Sequence, residues 1–302
     1  VATRASRLSL KQVALVVKAL RRRHPSLEVE PVLVKTTGDL NPDRPPSQLG
    51  VKGVFEREVD RALLQGEADI AVHSLKDVPT TLPEELVLAA VLARETPLEA
   101  LVSRRGLKLE ELPPGAVVGT SSVRRRAAVR WVRPDLKVED LRGNVDTRLR
   151  RLDEGRFDAI LLAAAGLRRL GLGDRIVQLF PPEVITPAPC QGAVGVYARR
   201  EDSELLKLLA AIDDAATRLE VMVERAVVER LKAGCFTPLG VVADASDSRV
   251  KVTAALYAPD GGARTLVRTE GGRAEALALA ERAARHLLEG GIPVVKGSGR
   301  RP

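Results

Sequence analysis

Two rhythms of apolar positions run along the chain. Leu10, Val13, Ala14, Val17 and Leu20 recur at three- and four-residue spacing, which predicts an amphipathic helix over residues 9–23. Residues 1–3 read as the end of a strand, and residues 29–35 as a second strand. Residues 37–50 are rich in Pro, Gly and polar side chains and predict a mobile loop. Phe55, Val59, Ala62 and Leu63 mark the next helix, and residues 68–73 a short buried strand. Strands alternating with helices at this length predict an α/β fold with a mainly parallel sheet.

The pattern then recurs. Residues 3–6 lead into the first helix; Val117-Val118 leads through Gly119-Thr120-Ser121-Ser122 into a helix over residues 124–133. The run LQGEADI at 64–70 is matched by LDEGRFDAI at 152–160. Both read as a helix end, a glycine cap, an Asp and a buried strand. The match is short: it is a coincidence, or it reports two similar α/β domains that would face each other across a cleft. The last third differs. Residues 219–231 form a strong helical pattern ending at Gly234, and residues 250–257 and 265–269 flank Pro259-Asp260-Gly261-Gly262, a hairpin signal. A further helix over 274–288 completes a small α+β domain, and residues 296–302 read as a frayed tail.

Composition narrows the class. With 302 residues and 45% hydrophobic side chains, the chain can bury a core in two or three domains. It has no apolar run of roughly 18 residues, the length expected of a membrane helix, and residues 1–10 lack the apolar core of a signal peptide, so a cytoplasmic location is the expectation. The formal charge is +8, carried by 37 arginines and 11 lysines. Guanidinium forks match carboxylates and phosphates in bidentate fashion, so nucleic acid, a membrane surface or a small polyanion would each fit. Aromatic residues make up only 2%, which weakens base stacking on nucleic acid. Asn occurs only at 41 and 144 and there are 19 prolines, a balance that either a thermophilic source or GC-rich coding produces.

Five stretches could carry chemistry. In GTSSVRRR (119–126) a strand ends in small hydroxyl residues as a helix begins. Free N–H groups, hydroxyls and the adjacent Arg124 and Arg125 could hold an anion. The bland alternative is an ordinary N-cap, which needs only one of the three hydroxyls, followed by a solvated basic face. In LRGNVDTR (141–148), Arg142 is expected at a strand end and Arg148 one turn into a helix. They bind a ligand there or pair with Asp146 and Glu139. In HSLKDVP (73–79), Asp77 stands beside Lys76 in a loop after the buried strand. It serves as an acid, base or charge stabiliser, or it caps neighbouring N–H groups. Lys52-Gly53 offers a mobile charge before a helix and is only a weak phosphate-loop signal; no GxxxxGK[ST] or GxGxxG occurs. Gly234-Cys235-Phe236-Thr237-Pro238 places a thiol in a loop, reactive or inert. Cys190 and Cys235 form no CxxC or Cys/His cluster, so neither a structural zinc site nor any other metal site is expected.

In their order these pieces resemble the porphobilinogen deaminase family. The matching runs are ATRAS (2–6), KGVF (52–55), ADIAVHSLKDVP (68–79), GTSSVRR (119–125), LRGNVDTR (141–148), AGLRRLG (165–171), QGAVG (191–195) and Gly234-Cys235. The resemblance runs from residue 1 to about 238, and loosely to the end. It implies two similar periplasmic-binding-protein-like α/β domains around a cleft (residues 1–93 with about 193–211, and residues 97–187), plus a small C-terminal α+β domain over 215–302 that carries the cysteine. It also implies a monomeric transferase of tetrapyrrole biosynthesis that links four porphobilinogen units head to tail into hydroxymethylbilane, releasing an ammonia from each. The primer is a dipyrromethane held by Cys235 through a thioether. Asp77 becomes the catalytic residue, with flanking Lys76 favouring its charged form. Arg4, Ser6, Lys52, Lys76, Ser122, Arg124, Arg125, Arg142, Arg148 and Arg169 would bind cofactor or substrate carboxylates, Phe55 would cover the site, and Gln191 would lie near the cofactor. Three departures stand out: Gln48 sits where many members have a second loop lysine, Asp146 replaces a residue often small and is placed to orient Arg148, and Cys190 is expected to be an inert core thiol. The rivals are a non-enzymatic polyanion-binding protein on the same two-domain frame and a nucleic-acid binder.

Overall fold

The computed structural model describes residues 1–36, 57–234 and 236–295. Lys52, Phe55, Gln48, Cys235, the expected loop over 37–50 and the expected tail over 296–302 lie outside the described residues. The chain opens with β1 (Ala2–Arg4), α1 (Arg7–Arg23), β2 (Val32–Val34), α2 (Arg57–Leu64), β3 (Ile70–Ser74), a 3-10 turn at Leu75–Asp77, and β4 (Leu86–Val91). There follow β5 (Glu99–Ser103), β6 (Val117–Gly119), α3 (Val123–Val132), β7 (Lys137–Glu139), α4 (Val145–Asp153), β8 (Ala159–Ala163), α5 (Ala164–Arg169) and β9 (Gln178–Phe180). The remainder is β10 (Val194–Arg199), α6 (Ser203–Ala210), α7 (Ala215–Leu231), β11 (Leu239–Ala245), β12 (Arg249–Tyr257), β13 (Arg264–Gly272) and α8 (Ala276–Glu289).

Two compact units result: Val1–Glu95 with Gly192–Arg218, and Thr96–Gln191 with Leu219–Pro302. The first holds a five-stranded sheet ordered β2-β1-β3-β10-β4, and the second a five-stranded sheet ordered β7-β6-β8-β5-β9. In both, the first three strands are parallel and the fourth runs antiparallel to its neighbours. The sheets therefore share one topology, and the short repeat in the sequence is a true structural repeat. The two helix ends that suggested it behave alike: Gly66 and Gly155 take φ of +75° and +79°. The next residues, Glu67 and Arg156, donate their N–H back to Ala62 and Arg151.

Local chemistry sets the elements. Helix α1 starts at Arg7 rather than at residue 9, because the Ser6 hydroxyl accepts the Ser9 N–H at 3.1 Å and caps the helix two residues earlier. Its buried face is Gln12, Val13, Val16 and Leu20. In the first unit α1 and α2 pack on β1 and β3, and α6 packs on β4 and β10. The strand expected at 29–35 shrinks to Val32–Val34, the three residues that pair with β1.

In the second unit a three-stranded antiparallel sheet, β11-β12-β13, carries the C-terminal segment. Strand β12 shows period-two sorting. Val250, Val252, Ala254 and Leu256 enter one core with α7 and α8, while Ala255 and Tyr257 enter the core beneath α3. The hairpin strands reach Arg264–Gly272, longer than the expected 265–269, because backbone pairing continues past the apolar residues. No helix among the described residues is long and apolar enough to cross a membrane.

Candidate functional site

Parallel strands bring their carboxyl ends to one sheet edge, where loops can gather ligand groups. In the first unit that edge carries Arg4 at the end of β1, Ser6 at the cap of α1, and Lys76 and Asp77 in the turn after β3. The antiparallel neighbour keeps this edge in register, with Val194 opposite Ser74. Leu75 anchors the turn: it is buried, and its N–H bonds to the Ala193 carbonyl at 3.1 Å. Lys76 and Asp77 remain exposed. The Asp77 carboxylate accepts no hydrogen bond and makes no ion pair among the described residues, so the alternative that it caps its own turn fails. Gln12 donates to the Ser74 hydroxyl at 2.5 Å, tying α1 to the base of the turn, a contact absent from the sequence reading. His73, also in β3, lies 3.1 Å from Asp60 and packs edge-on against Tyr197.

The second unit builds the equivalent edge differently. At the β6–α3 junction all three hydroxyls have internal partners, where capping alone would have used one. Ser122 caps α3 by accepting the Arg125 N–H, Thr120 accepts the Ser122 N–H at 3.2 Å, and Ser121 donates to the Leu141 carbonyl at 2.7 Å. A hydroxyl that accepts keeps its own proton to donate, so half-buried Ser122 retains a donor for an anion, whereas Thr120 is fully buried.

The bland alternative of a solvated basic face fails at its first two arginines. Arg124 and Arg125 are 5% and 6% exposed, and both close on Glu99, which is 0% exposed at the start of β5. Glu99 Oε1 accepts from Arg124 at 2.5 Å and Oε2 from Arg125 Nε at 2.8 Å. The remaining bonds fix the forks: Arg124 to the Thr186 carbonyl at 2.6 Å, Arg125 to the Leu161 carbonyl at 3.0 Å and to Gln191 Oε1 at 3.4 Å. Gln191 in turn donates to the Pro97 carbonyl at 2.8 Å. Burial alone would push the Glu99 carboxyl up; the charges and hydrogen bonds of Arg125 and Arg124 overcome it and hold the group down at about 2. Burial pushes the Arg124 guanidinium down, opposed by Glu99. Two cations and one carboxylate leave a single net positive charge in this cluster.

Arg142 does not sit at a strand end. Strand β7 stops at Glu139, because Asp140 turns out to accept from Arg126 at 2.5 Å while Leu141 turns into the core. Arg142 is thus in the loop before α4, half-buried, and its guanidinium has no hydrogen bond or ion pair among the described residues. Arg148 donates to the Gly143 carbonyl at 2.7 Å, which points it back at the same loop. Arg169 ends α5, half-buried, after β8. Cys190 is buried, with φ +60°, and its N–H donates to Glu224. Among the described residues no cluster of His, Cys, Asp and Glu could hold a metal. Sequence reasoning missed Glu99 altogether; its one signal was a carboxylate set directly against the apolar run Ala100-Leu101-Val102.

Fold and site together define an α/β protein whose repeated sheet edges present cations and hydroxyls suited to a polycarboxylate. Comparison with known proteins gives the class its name. The model "Porphobilinogen deaminase, dipyromethane cofactor binding domain" matches residues 1–207, and "Porphobilinogen deaminase, C-terminal domain" matches residues 218–289. A "Probable porphobilinogen deaminase" of Hyperthermus butylicus is 48% identical over 273 residues, covering 90% of each chain. The "Porphobilinogen deaminase" of Pelotomaculum thermopropionicum is 45% identical over 291 residues, covering 96% of this chain and 93% of its own. The chain belongs to the porphobilinogen deaminase family. Among solved structures, an ancestral arginine-binding protein bound to arginine matches at 20% identity with a TM-score of 0.36, covering 67% of this chain and 80% of that one. That likeness is too slight to add to the sheet orders, which define the fold.

Proposed function

We propose that this chain condenses four porphobilinogen molecules head to tail, releasing one ammonia per unit, and that one water then cuts the tetrapyrrole from its primer as hydroxymethylbilane, with Asp77 as the catalytic residue and a dipyrromethane on Cys235 as primer. The observation that carries the reading is Asp77 itself: an exposed carboxylate without a side-chain partner among the described residues, next to Lys76, at a strand end of a chain whose other strand ends present cations.

The donor set fits the cofactor. Each pyrrole bears an acetate and a propionate. The buried arginine pair keeps one net positive charge, and the Arg142 guanidinium has no partner among the described residues. Ser6, Ser122, Arg124, Arg125, Arg142, Arg148 and Arg169 would hold cofactor and chain carboxylates, and Gln191 would keep Arg125 oriented. Arg4, Lys52 and Lys76 would receive those of the incoming substrate, with Phe55 covering them. When bound, the dipyrromethane supplies the nucleophilic pyrrole carbon on which the product grows. Asp77 acts on the porphobilinogen side. As the bond to the departing ammonia breaks, positive charge develops on the substrate's ring nitrogen, and a fixed carboxylate accepting that N–H stabilises it. The same oxygen can take and return a proton as nitrogen leaves and the ring regains aromaticity. The reading takes the chain to act in the cytoplasm as a monomer, without nucleic-acid or membrane partners.

The test is Asp77→Asn, which keeps shape and removes charge. Turnover should fall at least about a hundredfold, the scale of one acid–base or electrostatic group, while intact mass still shows the pyrrole adduct. Normal turnover in this variant would refute the role. Wild-type protein without an adduct under any preparation would favour the polyanion-binding alternative.

A further inference from the structure

We propose that Glu99 is a positioning residue of the site: its buried carboxylate locks Arg124 and Arg125 into one geometry and sets the surplus of a single positive charge that receives a pyrrole carboxylate. The inference rests on the reading that this arginine pair binds such carboxylates.

Three observations carry it. First, Glu99 holds both guanidinium groups at once, one oxygen to each, at 2.5 and 2.8 Å. Second, the contacts are made from a rigid place. Glu99 opens β5, which lies in the sheet between β8 and β9, with Ala163 and Phe180 opposite it. Its neighbours Ala100 and Leu101 are fully buried. Third, the balance is odd for a purely structural cluster. Burying ions costs free energy, and well-packed apolar groups of similar volume usually serve stability as well or better. A cluster serving only the fold would gain from neutrality; this one holds two buried cations on one anion. Arg125 also reaches Gln191, in the segment QGAVG, so the lock extends to the residue expected beside the cofactor.

The geometry separates two effects of mutation. Glu99→Asp keeps the charge but retracts it by one methylene, so each arginine must follow the shorter side chain or lose its bond. Glu99→Gln keeps the length and removes the charge. Both variants would be purified as full-length protein. Intact mass for the pyrrole adduct, melting temperature, and KM and kcat with porphobilinogen would be measured for each. The expected result for Glu99→Asp is a KM raised about tenfold, the value of one charge-assisted hydrogen bond, with kcat changed less than about threefold. In Glu99→Gln the shift should be larger, and a smaller fraction of molecules should carry the adduct. A purely structural glutamate would lower the melting temperature of both variants and leave KM untouched; that outcome overturns the proposal. Should Glu99→Gln fail to fold, Glu99→Asp decides by the same criterion. A wild-type chain that bears no adduct and forms no product would instead refute the functional reading, and this inference with it.

Discussion

Replacing Gly195 by Ala tests how a buried strand seats the Asp77 turn. A Cβ at Gly195 would lie well inside contact with Leu75 Cδ2, 2.9 Å from Leu75 Cγ and 2.8 Å from Leu88 Cδ1. Carbon atoms settle at about 3.5–4.0 Å, so both leucines must give way, each by roughly 1 Å. Leu88 is held by pairing with β10, and Leu75 is 1% exposed, tied through its N–H to Ala193. Any shift of the Leu75 backbone would carry Lys76 and Asp77 with it. Overpacking of this kind costs about 1–3 kcal/mol. The stiffer unfolded chain of the Ala variant returns about 0.4–1 kcal/mol, so overpacking wins by roughly 1–2 kcal/mol. A drop of about 2–8 °C in melting temperature follows. Calorimetry and steady-state turnover should show that drop together with a reduced kcat, while intact mass still shows the adduct. Adding Leu75→Val removes the clashing methyl and should recover part of both losses, a coupling that distant sites would not show. Unchanged melting and unchanged kcat in Gly195→Ala would refute the reasoning.

Glu99 should dominate part of the acid limb of stability. Its folded pKa of about 2 lies below the 4.5 of an unperturbed glutamate, so its contribution is present above about pH 4.5 and is lost as pH falls toward 2. That loss amounts to about 3 kcal/mol. Urea denaturation of wild type and Glu99→Gln at pH 5, 4 and 3 should show a shallower decline in the variant, and parallel declines would count against the buried ion cluster. Cys235→Ser should abolish the pyrrole adduct and Cys190→Ser should retain it, read by intact mass; the reverse would exchange the roles of the two thiols. Gly261 has φ +82°, and a Cβ there would lie 2.5 Å from Arg130 Cβ and 2.9 Å from the Ala127 carbonyl. Gly261→Ala should therefore destabilise the second unit by at least about 1–3 kcal/mol, seen as a lower denaturation midpoint, and an unchanged midpoint would show that the β12–β13 turn does not rest on α3.

What the sequence determined by itself is what short range governs. The apolar spacing of α1, the glycine caps at 66 and 155, the hydroxyls before α3 and the Lys76-Asp77 pair after a buried strand all follow from neighbours within a turn or two. The repeat of these signals left two alike sheets as one of two readings, and the ordered motifs pointed to the family. Tertiary structure decided the rest, because the partners lie far apart along the chain. Glu99 meets Arg124 and Arg125 only because β5 inserts antiparallel beside β8. Without that placement, two arginines after a cap look like a wet surface. Arg142 looked like a strand-end residue until Asp140 and Leu141 turned in opposite directions and ended β7 at Glu139. Gly195 carries no local signal for its role; only the pairing of β10 with β3 and β4 puts it between Leu75 and Leu88. Hydrophobic period and capping are properties of adjacent residues, whereas the burial of a charge depends on which distant strand supplies its counter-ion.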